Sequence, residues 1–331
     1  MTRLKLVLAV LVTALVAVAG AAADTTLNLV AYSTPKPVMA QIISDFQKTP
    51  DGQGVSFNQS YGPSTSQAKA IVAGLPADVA FLSTGDDVNY LADNGLVDPA
   101  WWATKDYGIA ANTVVVFAVR HYNPKHIKGW ADLIKPGVQV VTPNPFSSGS
   151  AKWNILAAYA AERHLGKTDA QAQAYVKTLF QHVVSQDSSG SNATNTFLSG
   201  KGDVLITYES EAIAAQAKGQ DIEYVIPRQT MLIQLPIVPL KNSPNVDLAK
   251  KFIAFVQSTP EQILLGQNGF RPVDKTAAAQ FKKKYPVRPG QFTIGDKVIG
   301  GWRAADKKWF DPTHGLMVQI EQAVGGPTSG A

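Results

Sequence analysis

The chain contains no cysteine. No disulfide can staple the fold, and no thiolate can hold a metal. No cysteine follows the N-terminal apolar segment to carry a lipid anchor. Histidine is scarce as well: His121, His126, His164, His182 and His314 are the full set. None has metal-ligand spacing, and His121 and His126 flank an Asn123-Pro124 turn. There is neither a Walker-type nor a dinucleotide-binding glycine pattern, no internal repeat and no low-complexity linker. We therefore expect no cofactor.

Strong charge is also missing. Setting aside Arg3 and Lys5 leaves 28 of the 30 basic residues against 25 acidic ones, a net charge of +3. That is too mild and too dispersed for a nucleic-acid partner, and Lys282-Lys283-Lys284 reads as a solvated helix face.

Of what is present, the N-terminus comes first. Arg3 and Lys5 precede the apolar run Leu6–Ala19, which ends in Gly20-Ala21-Ala22-Ala23. This is the pattern of a cleaved export signal over residues 1–23, too short for a bilayer span. No later run is long and apolar enough to cross a membrane. The remaining stretch of about 308 residues is enough for two medium cores, and we expect an exported, periplasmic monomer.

Strands and helices then alternate with short connections, which predicts an α/β fold of mostly parallel sheets flanked by helices. Thr113–Arg120 and Ile233–Leu240 are long enough to cross between two lobes. That gives a first lobe of 24–112 with 236–331 and a second of 113–235.

One device recurs. Four times a strand gives way to a Ser/Thr/Gly-rich loop that starts a helix, at Tyr32–Pro35, Ser60–Ser66, Ser147–Ser150 and Asp187–Asn192. The clearest case follows Val138–Val141, where Pro143 and Pro145 stop the strand. Ser147 or Ser148 can then cap a helix, leaving the amides of Ser148, Gly149 and Ser150 free. Unpaired N–H groups and the positive end of the helix dipole make such a place an anion site. Capping alone would explain any single loop. In wound sheets, however, loops at the carboxyl ends of strands gather around the ligand, so four together point to a shared oxyanion site.

Catalysis is less well supported. Gly62-Pro63-Ser64-Thr65-Ser66 lacks the last glycine of a nucleophile elbow, and no histidine pairs with Ser64 or Ser148. Two other readings stay open: a secreted serine hydrolase, and a receptor for another oxyanion or an organic sulfonate.

The sequence resembles the periplasmic sulfate- and thiosulfate-binding proteins of bacterial ABC importers. The resemblance rests on Asn123-Pro124-Lys125, on Trp130-Ala131-Asp132-Leu133 through Val138, on Thr142-Pro143-Asn144-Pro145 with Ser147-Ser148-Gly149, and on Trp153-Asn154. Thr194-Asn195-Thr196-Phe197, Gly202–Ile206 and Gly300-Gly301-Trp302 extend it. It implies a two-lobed clamshell that closes on a dehydrated sulfate using neutral hydrogen-bond donors, then delivers it to ABC permease subunits in the inner membrane. Carried over, the ligands are the amide of Ser33, the hydroxyl of Ser64, the amide and hydroxyl of Ser148, the amides of Gly149, Ser150 and Gly190, and the side chain of Tyr208. Tyr208 stands where the family has tryptophan, Ser33 where it has aspartate, Ser150 where it has glycine, and Ser191 where it has arginine.

Overall fold

Hydrophobic periodicity and prolines set the elements of the first part of the chain. The computed structural model describes residues 25–330, so the expected export signal lies outside it. β1 (Thr25–Tyr32) runs through Pro35, at the cap, into α1 (Lys36–Phe46), which buries Val38, Met39, Ile42, Ile43 and Phe46 at helical spacing. β2 (Val55–Gly62) leads through Pro63 to α2 (Ser64–Val72), and β3 (Val79–Phe81) to α3 (Gly85–Asp93). Thr84 caps α3 by accepting from the Asp87 amide at 3.1 Å. β4 (Ile109–Arg120) is the long β-branched strand that follows.

The second part repeats the alternation. It holds β5 (Val140–Pro143), α4 (Gly149–His164), α5 (Asp169–Gln181), β6 (Val183–Asp187) and α6 (Gly190–Leu198). β7 (Val204–Tyr208), α7 (Glu209–Ala217) and β8 (Ile222–Val225) complete it. β9 (Gln229–Pro239) returns to α8 (Val246–Val256), α9 (Thr259–Gln267) and α10 (Lys275–Gln280). The tail carries β10 (Gly290–Phe292), α11 (Trp302–Ala305) and α12 (Leu316–Val324).

The strand order is β2-β1-β3-β9-β4-β7-β5-β6, with β8 beside β4 and β10 beside β9. β1 pairs in parallel with β2 and β3, and β5 in parallel with β6 and β7. The antiparallel strands β4 and β9 join these halves: they pair with each other over Ile109–Val114, then β9 continues onto β3 and β4 onto β7. Each half thus has a wound parallel core, and β1, β2, β3, β5, β6 and β7 all end toward the junction of the halves.

α4 is the central helix. Every residue from Gly149 to Glu162 is buried, which is why its sequence is alanine-rich all round rather than striped. Trp302 packs edge-on against Trp153 and Trp309 against Tyr159, so the tail covers this helix. From Gly290 onward the tail also contacts the second half. β10 pairs with Gln229–Met231, Lys308 reaches Asp169 at 2.7 Å, and Asn144 donates to the Ser329 carbonyl at 3.0 Å. Arg303, in the same tail, pairs with Asp93 of α3, so the segment straps both halves.

Candidate functional site: a hydroxyl-lined cavity between the halves

Six parallel strands deliver their following residues to one small cavity. Tyr32, Ser33 and Thr34 come from β1, Gly62, Pro63 and Ser64 from β2, and Ser83 from β3. Ser148 and Ser150 follow β5, Ser189 and Gly190 follow β6, and Tyr208 ends β7. The cavity is small: its open space is about 10 Å³, about what one water needs and too little for a carbon tail.

Helix starts dominate the wall. Ser64, Gly149 and Gly190 are the first residues of α2, α4 and α6. First-turn amides have no carbonyl one turn upstream, and the dipoles of these helices place partial positive charge at the cavity. Side chains add to this. The hydroxyls of Tyr32, Ser83, Ser150 and Tyr208 are all buried without a hydrogen-bond partner. Burial above all drives the Tyr208 phenol far above its ordinary pKa, only partly offset by the neighbouring Ser83 and Ser150 hydroxyls. Burial does the same to Tyr32, with Tyr208 and Glu211 adding to it. Both phenols therefore keep their protons and can donate.

The nearby carboxylates are occupied. Asp87 accepts from Ser64 at 2.6 Å and Thr65 at 2.8 Å, and Glu211 from Thr34 at 2.6 Å and Ser191 at 2.8 Å. Glu209 is fully buried against Arg271, with contacts of 2.7 and 3.1 Å. Asp187 accepts from Thr196 at 2.7 Å, outside the cavity wall. The site is thus rich in neutral donors, and the carboxylates around it already accept from side chains of their own.

Six of the residues expected from sequence, Ser33, Ser64, Ser148, Ser150, Gly190 and Tyr208, lie on this wall. Three details differ from the expectation. Gly149 stands behind the wall, where a side-chain carbon would collide with Ser83 Oγ and the Thr84 methyl. The Ser148 amide is already donated to the Asn144 carbonyl at 2.9 Å, leaving Gly149 and Ser150 as the open amides of that loop. The Ser64 hydroxyl gives its single proton to Asp87 and accepts from the Ser83 amide at 2.9 Å, so it presents a lone pair to the cavity. The sequence places the loops of Tyr32, Thr34 and Ser189 at the site without singling those residues out, and it misses Ser83. For Ser83 the signal was available: Ser83-Thr84-Gly85 between β3 and α3 is a fifth copy of the recurring device.

Contacts between the halves hold them together. Trp153 donates its indole N–H to the Ser83 carbonyl at 2.6 Å, Lys152 pairs with Asp86, and Thr34 bonds Glu211.

Residues 27–271 match the profile of the family described as bacterial extracellular solute-binding protein. The chain is 34% identical to a sulfate-binding protein of Synechococcus elongatus, over 93% of this chain and 89% of the relative. It is 33% identical to a thiosulfate-binding protein of Pseudomonas aeruginosa, over 87% of this chain and 90% of the relative. Among solved structures, the sulfate-binding protein SubI from Mycobacterium tuberculosis superposes with a TM-score of 0.83 at 41% identity, covering 87% of this chain and 100% of that one. By that match and those relatives, and in keeping with its wound half-sheets joined by two crossing strands, the chain belongs to the bacterial extracellular solute-binding proteins.

Proposed function

We propose that the protein is a monomeric periplasmic receptor that captures sulfate or thiosulfate, without chemistry or cofactor, and hands it to the permease subunits of an ABC importer. The observation that carries this reading is the set of four buried, unpartnered hydroxyls around a cavity for one small solute. Each such hydroxyl costs the fold about 1–3 kcal/mol, a loss that an oxyanion between the halves recovers. The names of the relatives point to the same ligands.

Selectivity follows from the donor set. Sulfate carries no proton at neutral pH and needs donors alone, whereas phosphate retains a proton and needs an acceptor. Among the described residues no Asp or Glu lines the cavity, and Asp87 and Glu209 beside it already accept from side chains through both oxygens, so a phosphate hydroxyl meets no carboxylate on the wall. A mismatched polar group in a closed site is rejected strongly. Ligand contacts from both halves supply the differential interaction that favours closure.

Titration calorimetry at neutral pH with sulfate, thiosulfate, phosphate, molybdate and tungstate tests the reading. Sulfate or thiosulfate should bind most tightly, and tighter binding of phosphate would overturn the proposal.

A further inference from the structure

Ser83 is hydrogen-bonded to both halves. Its amide donates to Ser64 Oγ at 2.9 Å, within the first half. Its carbonyl accepts from the Trp153 indole at 2.6 Å, across the cavity. The residue is 2% exposed, yet its hydroxyl has no partner and belongs to the cavity wall. With the backbone pinned from both sides, the side chain has little freedom to turn away.

Two hydroxyls from the other half share this condition. Ser150, in the first turn of α4, and Tyr208, at the end of β7, are also buried, unpartnered and on the wall. The three share one wall, and Ser83 and Ser150 stand close enough to pull the Tyr208 pKa down against the burial that raises it. Behind them, Ser83 Oγ fills the space that a side chain on Gly149 would need. Ser83 therefore fixes how far the first-half wall stands from the start of α4.

Resting on the oxyanion reading above, we propose that Ser83 is a direct ligand of the anion and sets the size of tetrahedral oxyanion that the closed cavity admits. Its hydroxyl donates from the first half to the same ion that Ser150 and Tyr208 grip from the second. The three bonds exist together only when the halves meet. Removing the oxygen takes away one donor to a charged ligand and deepens the cavity by one atom. An oxyanion with longer bonds, such as molybdate, gains from the second change what it loses from the first.

The test is titration calorimetry of the wild type, Ser83→Ala and Ser83→Thr with sulfate and molybdate, after ligand-free melting has shown each variant folded. Ser83→Ala should weaken sulfate at least about tenfold and molybdate less, shifting the affinity ratio toward molybdate. Ser83→Thr keeps the hydroxyl and adds a methyl, so it should shift the ratio the other way and remains informative should the alanine variant fail to fold. Unchanged sulfate affinity in Ser83→Ala, or unchanged ratios in both variants, overturns the role of Ser83 while leaving the receptor reading intact. A wild type that binds no oxyanion overturns both.

Discussion

Lys152 and Asp86 form an ion pair between the halves, and each is under a tenth exposed. Lys152 lies one turn into α4, and Asp86 is the second residue of α3. Burial works against the ammonium, but the carboxylates of Asp86 and Asp87 outweigh it and hold the lysine charged. Its ammonium also lies 5.3 Å from the centre of the Phe310 ring, contributed by the C-terminal strap. A full positive charge thus stands near the oxyanion cavity yet is absent from its wall. The cation is spent on Asp86, which keeps the cavity a place of neutral donors and makes the pair a clasp for the closed arrangement.

Breaking the clasp should therefore be felt in binding. Lys152→Met leaves Asp86 buried without its cation, a situation that costs about 3–5 kcal/mol where it cannot be relieved. Opening rehydrates the carboxylate, so the penalty falls on the closed form and appears as weaker sulfate binding and faster release. Replacing both partners, Lys152→Met with Asp86→Leu, should recover much of the affinity. Calorimetry and stopped-flow release kinetics measure this, and an unchanged Kd for Lys152→Met would show that the pair does not support closure.

The strap supplies a pH prediction. Glu321 of α12 is fully buried, accepts from Gln186 at 3.0 Å through one oxygen and has no partner for the other. Burial pushes its carboxyl up from 4.5 to about 7, with the Gln186 bond pulling slightly the other way. A carboxyl whose folded pKa is raised prefers to fold protonated. Its ionisation therefore subtracts stability as pH rises from about 4.5 to about 7, and the loss is complete above that. Glu321→Gln should remove this slope and stabilise the protein by about 1–3 kcal/mol above pH 7, with little effect below pH 4.5. Thermal melts of both proteins across that range decide it, and parallel Tm curves would refute it.

Much of this architecture is legible in the sequence, for identifiable physical reasons. β1, β4 and β6 stand out because β-branched runs are bounded by turns, and α8 because its apolar residues keep helical spacing. Where the reading falls short, the same few residues are responsible. Ser64 and Gly190 read as loop residues, yet each opens its helix, because the first turn of a helix carries the free amides and is built from small polar residues. α5 is not among the helices read from the sequence, although Thr168 and Gln171 form a capping box that marks its start. Other features have no local signal. The clasp joins residues 66 positions apart, and the Trp153–Ser83 bond spans 70. That the Ser64 proton is turned to Asp87 depends on the packing of α2 against α3, which no motif encodes.

Gly149 offers the sharpest test of closure, because its role is space rather than bonding. A methyl there would overlap Ser83 Oγ and the Thr84 methyl, both on the opposite half, and would press on Asp87. None of these neighbours belongs to its own helix, so Gly149→Ala should leave each half folded and wedge them apart. Gly190 makes the contrast. A methyl there meets Ser150 side-chain atoms at 3.2 and 3.3 Å, within the same half, which small shifts can absorb. Overpacking of the first kind costs about 1–3 kcal/mol, roughly a five- to 150-fold loss of sulfate affinity. Gly190→Ala should lose clearly less. Calorimetry of both variants, with small-angle scattering to follow compaction on adding sulfate, separates the cases. Equal losses would mean that the closed halves can slide past each other at Gly149, and that the close approach of α4 to Ser83 does not limit closure.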